Sequence, residues 1–123
     1  MENPIASSIQ HVNRARLDEI GMGDPAFTAE IIEIMLEDGA TRVKNIRAAC
    51  NSGFFEEAGK LAHSLKGAAL NVGASELANL CAVIDETVRK RGLPCPDELV
   101  GSIEKEFTIV ADELNKIKCE LSA

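Results

Sequence analysis

An imidazole that other molecules can approach, beside a lysine, can attack phosphorus. The segment Ala62-His63-Ser64-Leu65-Lys66-Gly67-Ala68-Ala69 carries such a pair. An unperturbed imidazole is largely neutral at pH 7, with a pKa of about 6.5, so one ring nitrogen is a free nucleophile without a general base. Phosphorylation there would add about two negative charges. Lys60 at i−3 and Lys66 at i+3 stand within one helical turn to balance them. From Ala58 to Ser75 there is no carboxylate, although Asp and Glu outnumber Lys and Arg by 20 to 13 over the chain. The stretch is locally basic inside an acidic protein.

Periodicity predicts which way the ring faces. Phe54, Ala58, Leu61, Leu65, Ala69 and Val72 recur at three- and four-residue steps, which describes one stripe of a helix from Phe54 to Val72. At about 100° per residue, His63 lies roughly 160° from the centre of that stripe and faces water. Gly59 stands one turn before it and Gly67 one turn after. A mid-helix glycine costs about 1 kcal/mol relative to alanine. Two of them beside one exposed imidazole predict a surface cleared for a close-approaching molecule, with Gly59, Lys60 and Gly67 among its docking residues. Leu70, at i+7 from His63, shares the exposed face and is read either as apolar docking surface or as packing against a neighbouring helix. Ser64 and Asn71 flank the site, as docking residues or as solvated helix positions.

The second ring nitrogen needs a partner to set its tautomer. Asp85 is the candidate, because it follows Gly73 by twelve residues as His63 precedes it by ten. A helical hairpin turning at Gly73 would bring the two to about the same height. His11 has no comparable company and is read as structural. Arg89-Lys90-Arg91 is read as a charge complement at a helix C-terminus rather than a phosphate site.

Helices must position these residues. The chain has 123 residues, 46% of them apolar, with no Trp or Tyr and no alternating strand pattern. An all-α protein follows. The expected domains are a loose N-terminal leader over residues 1–10 and a helical bundle over residues 11–123. Within the bundle, a short helix from Val12 to Ile20 ends at Gly21-Met22-Gly23. Asp24-Pro25 caps a long helix running towards Cys50, with Phe27, Ile31, Ile34, Met35, Val43, Ile46 and Cys50 inward. The histidine helix follows, then one from Ser75 to about Arg91, then one beyond Pro96 whose seam runs from Leu99 or Val100 to Leu121. Short loops between long amphipathic helices imply an antiparallel up-down four-helix bundle with a short additional N-terminal helix. The apolar stripes are fully used by one bundle, so a monomer is expected.

Several functions are excluded. A net charge of −7 argues against nucleic acid and anionic membranes. No stretch approaches the roughly 20 apolar residues of a membrane span, and Met1-Glu2-Asn3-Pro4 lacks the basic and apolar regions of a signal peptide, so a cytoplasmic location is expected. Cys50, Cys81, Cys95 and Cys119 form no C-x-x-C pair and read as reduced, core-type thiols, with neither a disulfide nor a metal site. Inward Glu-x-x-His pairs of a di-iron bundle are missing, since Lys60 and Ser8 stand three before the two histidines. Neither G-x-x-x-x-G-K nor G-x-G-x-x-G occurs, so the chain should neither bind ATP nor phosphorylate itself. A pure interaction module with an incidental histidine is the remaining alternative.

His63-Ser64-Leu65-Lys66-Gly67, then Gly73-Ala74, then Cys81 in an amphipathic helix, resembles the H-x-x-K-G pattern of the histidine-containing phosphotransfer (HPt) domains of two-component phosphorelays. The resemblance covers most of the chain, beginning at Asp24-Pro25-Ala26-Phe27. It implies that His63 is the phosphoacceptor, that Lys66 stabilises the phosphoryl group and that Gly67 leaves room for the partner. It also implies a phosphocarrier rather than an enzyme. The partner would be a response-regulator receiver domain, with a hybrid sensor histidine kinase as a further possibility. No cofactor is implied on this chain; Mg²⁺ would come with the receiver. Two departures stand out. Asp85 occupies the place where members usually have a Gln or Glu to orient the ring, and Ala68-Ala69 replaces a common Ser-Ser.

Overall fold

The computed structural model describes residues 11–122. The expected leader over residues 1–10 lies outside the described residues, as does Ala123. Among the described residues all regular structure is helical: α1 (Arg14–Ile20), α2 (Pro25–Asn51), α3 (Phe55–Asn71), α4 (Ser75–Asp85), continued by a π-helical turn (Glu86–Lys90), and α5 (Asp97–Ser122).

Local chemistry accounts for the boundaries. Asn13 caps α1 by accepting a hydrogen bond from the Arg16 amide, so this helix starts two residues later than its sequence pattern predicts. The Asp24 carboxylate accepts from the amides of Ala26 and Phe27, and Pro25 opens α2 with its φ already helical. Gly73 ends the α3–α4 hairpin with φ +71°, in the left-handed region. Its carbonyl accepts from the Asn13 amide at 3.0 Å, and a Cβ there would collide with the Asn13 backbone. The turn after the histidine helix is thereby tied to the start of α1.

α2 packs on α3, α3 on α4, α4 on α5, and α5 back on α2, which closes a ring around one core. Leu17, Ile32, Ile46, Leu65, Leu77, Ile84, Ile103 and Leu114 are among its fully buried large side chains. Each contributes about 1.5–3 kcal/mol of hydrophobic stabilisation. α1 lies across α2 and α3.

The buried face of α2 keeps the expected Met35, Val43 and Ile46 and differs from the predicted one elsewhere. Phe27 and Ile34 are exposed and Ile31 is only half-buried, whereas Thr28, Ile32, Met35, Gly39, Val43, Ile46 and Ala49 point inward. The inward row mixes small residues with large ones because facing helices supply the missing volume. A Cβ on Gly39 would lie 2.5 Å from Cε1 of Phe107, so the glycine makes room for that ring. α3 shows the same effect. Ala58, Gly59, Ala62, Leu65 and Ala69 are buried, while Phe54 is exposed and Leu61 half-buried.

The reading of all four cysteines as reduced also needs correction. Cys50 and Cys95 form a disulfide, with Cα atoms 5.9 Å apart and a sequence separation of 45. No local motif announces this pair; it arises where the end of α2 meets the loop before α5. Cys81 is buried and free, its thiol pKa pushed up to about 12 by desolvation. Cys119 is free and exposed.

Candidate functional site

His63 sits on the outer face of α3 because the neighbouring positions Ala62 and Leu65 are drawn into the core. Its side chain is 62% exposed. The α3–α4 hairpin brings Asp85 alongside at the same height, and His63 Nδ1 lies 3.2 Å from Asp85 Oδ2. Asp85 is only 15% exposed, so its carboxylate is anchored while the imidazole is open. An ionised carboxylate accepts hydrogen bonds and donates none, so the proton belongs on Nδ1 and the lone pair on Nε2. The outward nitrogen carries the free lone pair.

Asp85 is itself held. Its Oδ1 accepts from Arg89 Nη1 at 3.2 Å, and Arg89 Nε lies 3.7 Å from Glu56 Oε2. His63, Lys66, Asp85, Arg89, Lys90 and Glu56 line one open depression of about 510 Å³. Lys66 has no ion-pair partner among the described residues. Lys60 is exposed but does not line the depression.

Two sequence expectations are corrected here. Gly59 is buried and is not part of a cleared outer surface: a Cβ there would lie 2.5 Å from Arg89 Cγ and 2.7 Å from Val88 Cγ2. Its missing side chain lets the arginine stem cross α3, and so serves the site from within. Arg89 and Lys90 do more than complement a helix end, because the π-helical turn carries both to the histidine depression. A carboxylate four residues before Arg89 was the available signal, but its meaning required knowing that Asp85 faces α3.

Other expected residues stay at the surface. Gly67 is exposed with nothing within 4 Å of where a Cβ would stand. Ser64, Leu70 and Asn71 are exposed, Leu70 at 48%. Asn71 also borders an apolar groove of about 210 Å³ between α1, α2 and α3, lined by Ile20, Ile31, Ile34, Met35 and Ala68. Eight residues of helix separate His63 from Asn71, a rise of about 12 Å. Ala68 and Val72 lie about 140° and 180° around α3 from His63, so the groove opens on the other flank of that helix.

His11 has more company than its sequence context suggests. Its Nδ1 lies 2.6 Å from Oε2 of the buried Glu106, and the amides of His11 and Val12 each donate to Glu113 at 3.1 Å. The Glu106 hydrogen bond raises the His11 pKa above 6.5, with burial opposing.

No helix among the described residues is long and apolar enough to cross a membrane. The family model described as "Hpt domain" matches residues 30–117. No curated protein sequence matches the chain. Among solved structures, the chain is similar in fold to histidine-containing phosphotransfer protein B (HptB) from Pseudomonas aeruginosa PAO1, with a TM-score of 0.82 at 24% identity over 89% of this chain and 96% of that one.

Proposed function

The chain belongs to the Hpt domain family, and from that premise we propose that it is a phosphorelay intermediate, carrying a phosphoryl group on His63 between aspartates of receiver domains. The observation that carries this reading is the exposed imidazole whose Nδ1 faces an anchored carboxylate.

Nε2 of His63 attacks the phosphorus of an aspartyl phosphate. The Nε2–P bond forms as the P–O bond to the aspartate breaks, and the carboxylate leaves with the electron pair. Nδ1 keeps its proton and its hydrogen bond to Asp85, which offsets the positive charge gained by the ring. Lys66 sits one turn away to neutralise the transferred group, with Arg89 and Lys90 adding positive potential to the same depression. The reverse sequence passes the group to the next aspartate.

The docking surface consists of Lys60, Ser64, Gly67, Leu70 and Asn71. Gly67 allows close approach at the reacting atoms. Contact is brief, over about 1,200 Å² or less, because a carrier must release each partner. Mg²⁺ and its charge neutralisation belong to the receiver, and this chain contributes no cofactor and no kinase activity of its own. The long helices run antiparallel, up and down, with α1 added at the front; the protein acts as a monomer in the cytoplasm, and a hybrid sensor kinase is one source of the phosphorylated receiver.

Incubation with a phosphorylated receiver domain tests the reading. Wild type should acquire an acid-labile, alkali-stable phosphate, and His63→Gln should abolish it while circular dichroism shows an intact bundle. A label that survives His63→Gln overturns the assignment.

A further inference from the structure

We infer that Cys50 and Cys95 are a reversible thiol–disulfide modification site, oxidised by low-molecular-weight disulfides, whose state sets the order of the segment leading from the Arg89–Lys90 side of the His63 depression. Four observations lead there. Both cysteines are half-buried at the surface of the bundle rather than sealed in it, so a small disulfide reaches them. The ring of four long helices already encloses a continuous apolar core, so folding does not require a staple of the kind small disulfide-rich domains use. Between Arg91 and Pro96 the backbone donates only two hydrogen bonds among the described residues, Arg91 to Glu86 and Leu93 to Thr87. Pro94 and Pro96 cannot donate at all. The sulfur bridge is therefore the covalent tie that holds Cys95, five residues beyond Lys90, to α2.

Arg47 makes the site reversible. From α2, three residues before Cys50, it pairs with Asp97, two residues after Cys95, and with Glu104. These ion pairs keep the two chain segments together when the bridge opens, so the thiols stay within reach of one another.

The step balances with glutathione disulfide as oxidant. One cysteine thiolate attacks a glutathione sulfur, forming a mixed disulfide and expelling one glutathione thiolate. The other cysteine thiolate attacks the protein sulfur of that mixed disulfide and expels the second. The two cysteine protons end on the two glutathione thiols, and two electrons pass from the protein to the glutathione pair.

The test uses the full chain carrying Cys119→Ser, which removes the exposed thiol that would join two molecules. Samples equilibrated over a series of reduced-to-oxidised glutathione ratios are acid-quenched, alkylated and weighed. The expected result is the loss of two alkylation sites across the series, with peptides containing Cys50 and Cys95 joined. Amides of residues 91–96 should exchange with deuterium about fivefold faster in the reduced form, and the Arg89 Nε–H and His63 ring resonances should shift. Cys50→Ser/Cys95→Ser should show neither response to the ratio. A pair that stays joined in a large excess of reduced glutathione, or that never joins, or exchange and resonances identical in the two forms, overturns the inference. Its consequence for transfer rests on the phosphocarrier reading: the two forms should accept phosphoryl groups at rates about threefold apart. Absence of transfer in both forms overturns that reading alone, because mass, exchange and resonances report the redox site independently.

Discussion

Asp85 Oδ2 lies 3.2 Å from His63 Nδ1, and its other oxygen accepts from Arg89 at the same distance. One carboxylate thus links the open imidazole of α3 to a guanidinium on the π-helical turn. Asp85→Asn should lower the rate of phosphoryl acceptance by about tenfold, the low end of the cost of removing the partner that orients a metal-bound imidazole. Nitrogen-15 spectra of the ring should show Nδ1–H dominant in wild type and a mixture of tautomers in the variant. An unchanged tautomer ratio would remove Asp85 from the mechanism.

Gly59 and Gly67 should respond oppositely to alanine. Gly59→Ala drives a methyl into the Arg89 stem and Val88, and the overpacking of about 1–3 kcal/mol outweighs the gain of about 1 kcal/mol in helix propensity. Gly67→Ala meets open space and should gain up to about 1 kcal/mol. Urea unfolding midpoints check both. Transfer from a phosphorylated receiver should slow for Gly67→Ala despite its greater stability, because the methyl stands where the partner approaches.

His11 makes the fold sensitive to pH near neutrality. Its pKa is raised in the folded state, mainly by the hydrogen bond to Glu106 and further by the charges of Glu106, Glu113 and Glu76. The group binds its proton more tightly folded than unfolded, so its stabilisation is complete below about 6.5 and fades as pH rises through the folded pKa. Melting temperature should therefore decline from pH 6 towards pH 8.5 in wild type. In His11→Gln that part of the slope should disappear; an identical profile in the variant would assign the dependence elsewhere.

Opening the Cys50–Cys95 bridge restores the freedom of a loop spanning 45 residues in the unfolded chain. Reduction, or Cys50→Ser/Cys95→Ser, should lower unfolding free energy by about 2–4 kcal/mol. Denaturant titrations with and without a reducing agent measure it. The bundle should remain helical in both, since the bridge packs at the edge of a core that is continuous without it.

The exposure of His63, the helix that bears it, the turn at Gly73 and its pairing with Asp85 were legible in the chain, because each depends on residues close in sequence. Helical periodicity converts spacing directly into facing, and a short turn converts equal offsets into equal heights. Caps at Asp24-Pro25 were legible for the same reason. The inward turn of Thr28, Ile32 and Gly39 in place of Phe27 and Ile34, the internal role of Gly59, the recruitment of Arg89 and Lys90, the His11–Glu106 pair and the Cys50–Cys95 bridge were decided only by tertiary packing. Whether Gly39 or Phe27 faces the core depends on Phe107 filling the space opposite, and whether two cysteines bond depends on where two distant helix ends meet. Such relations join residues that periodicity within a single helix cannot compare.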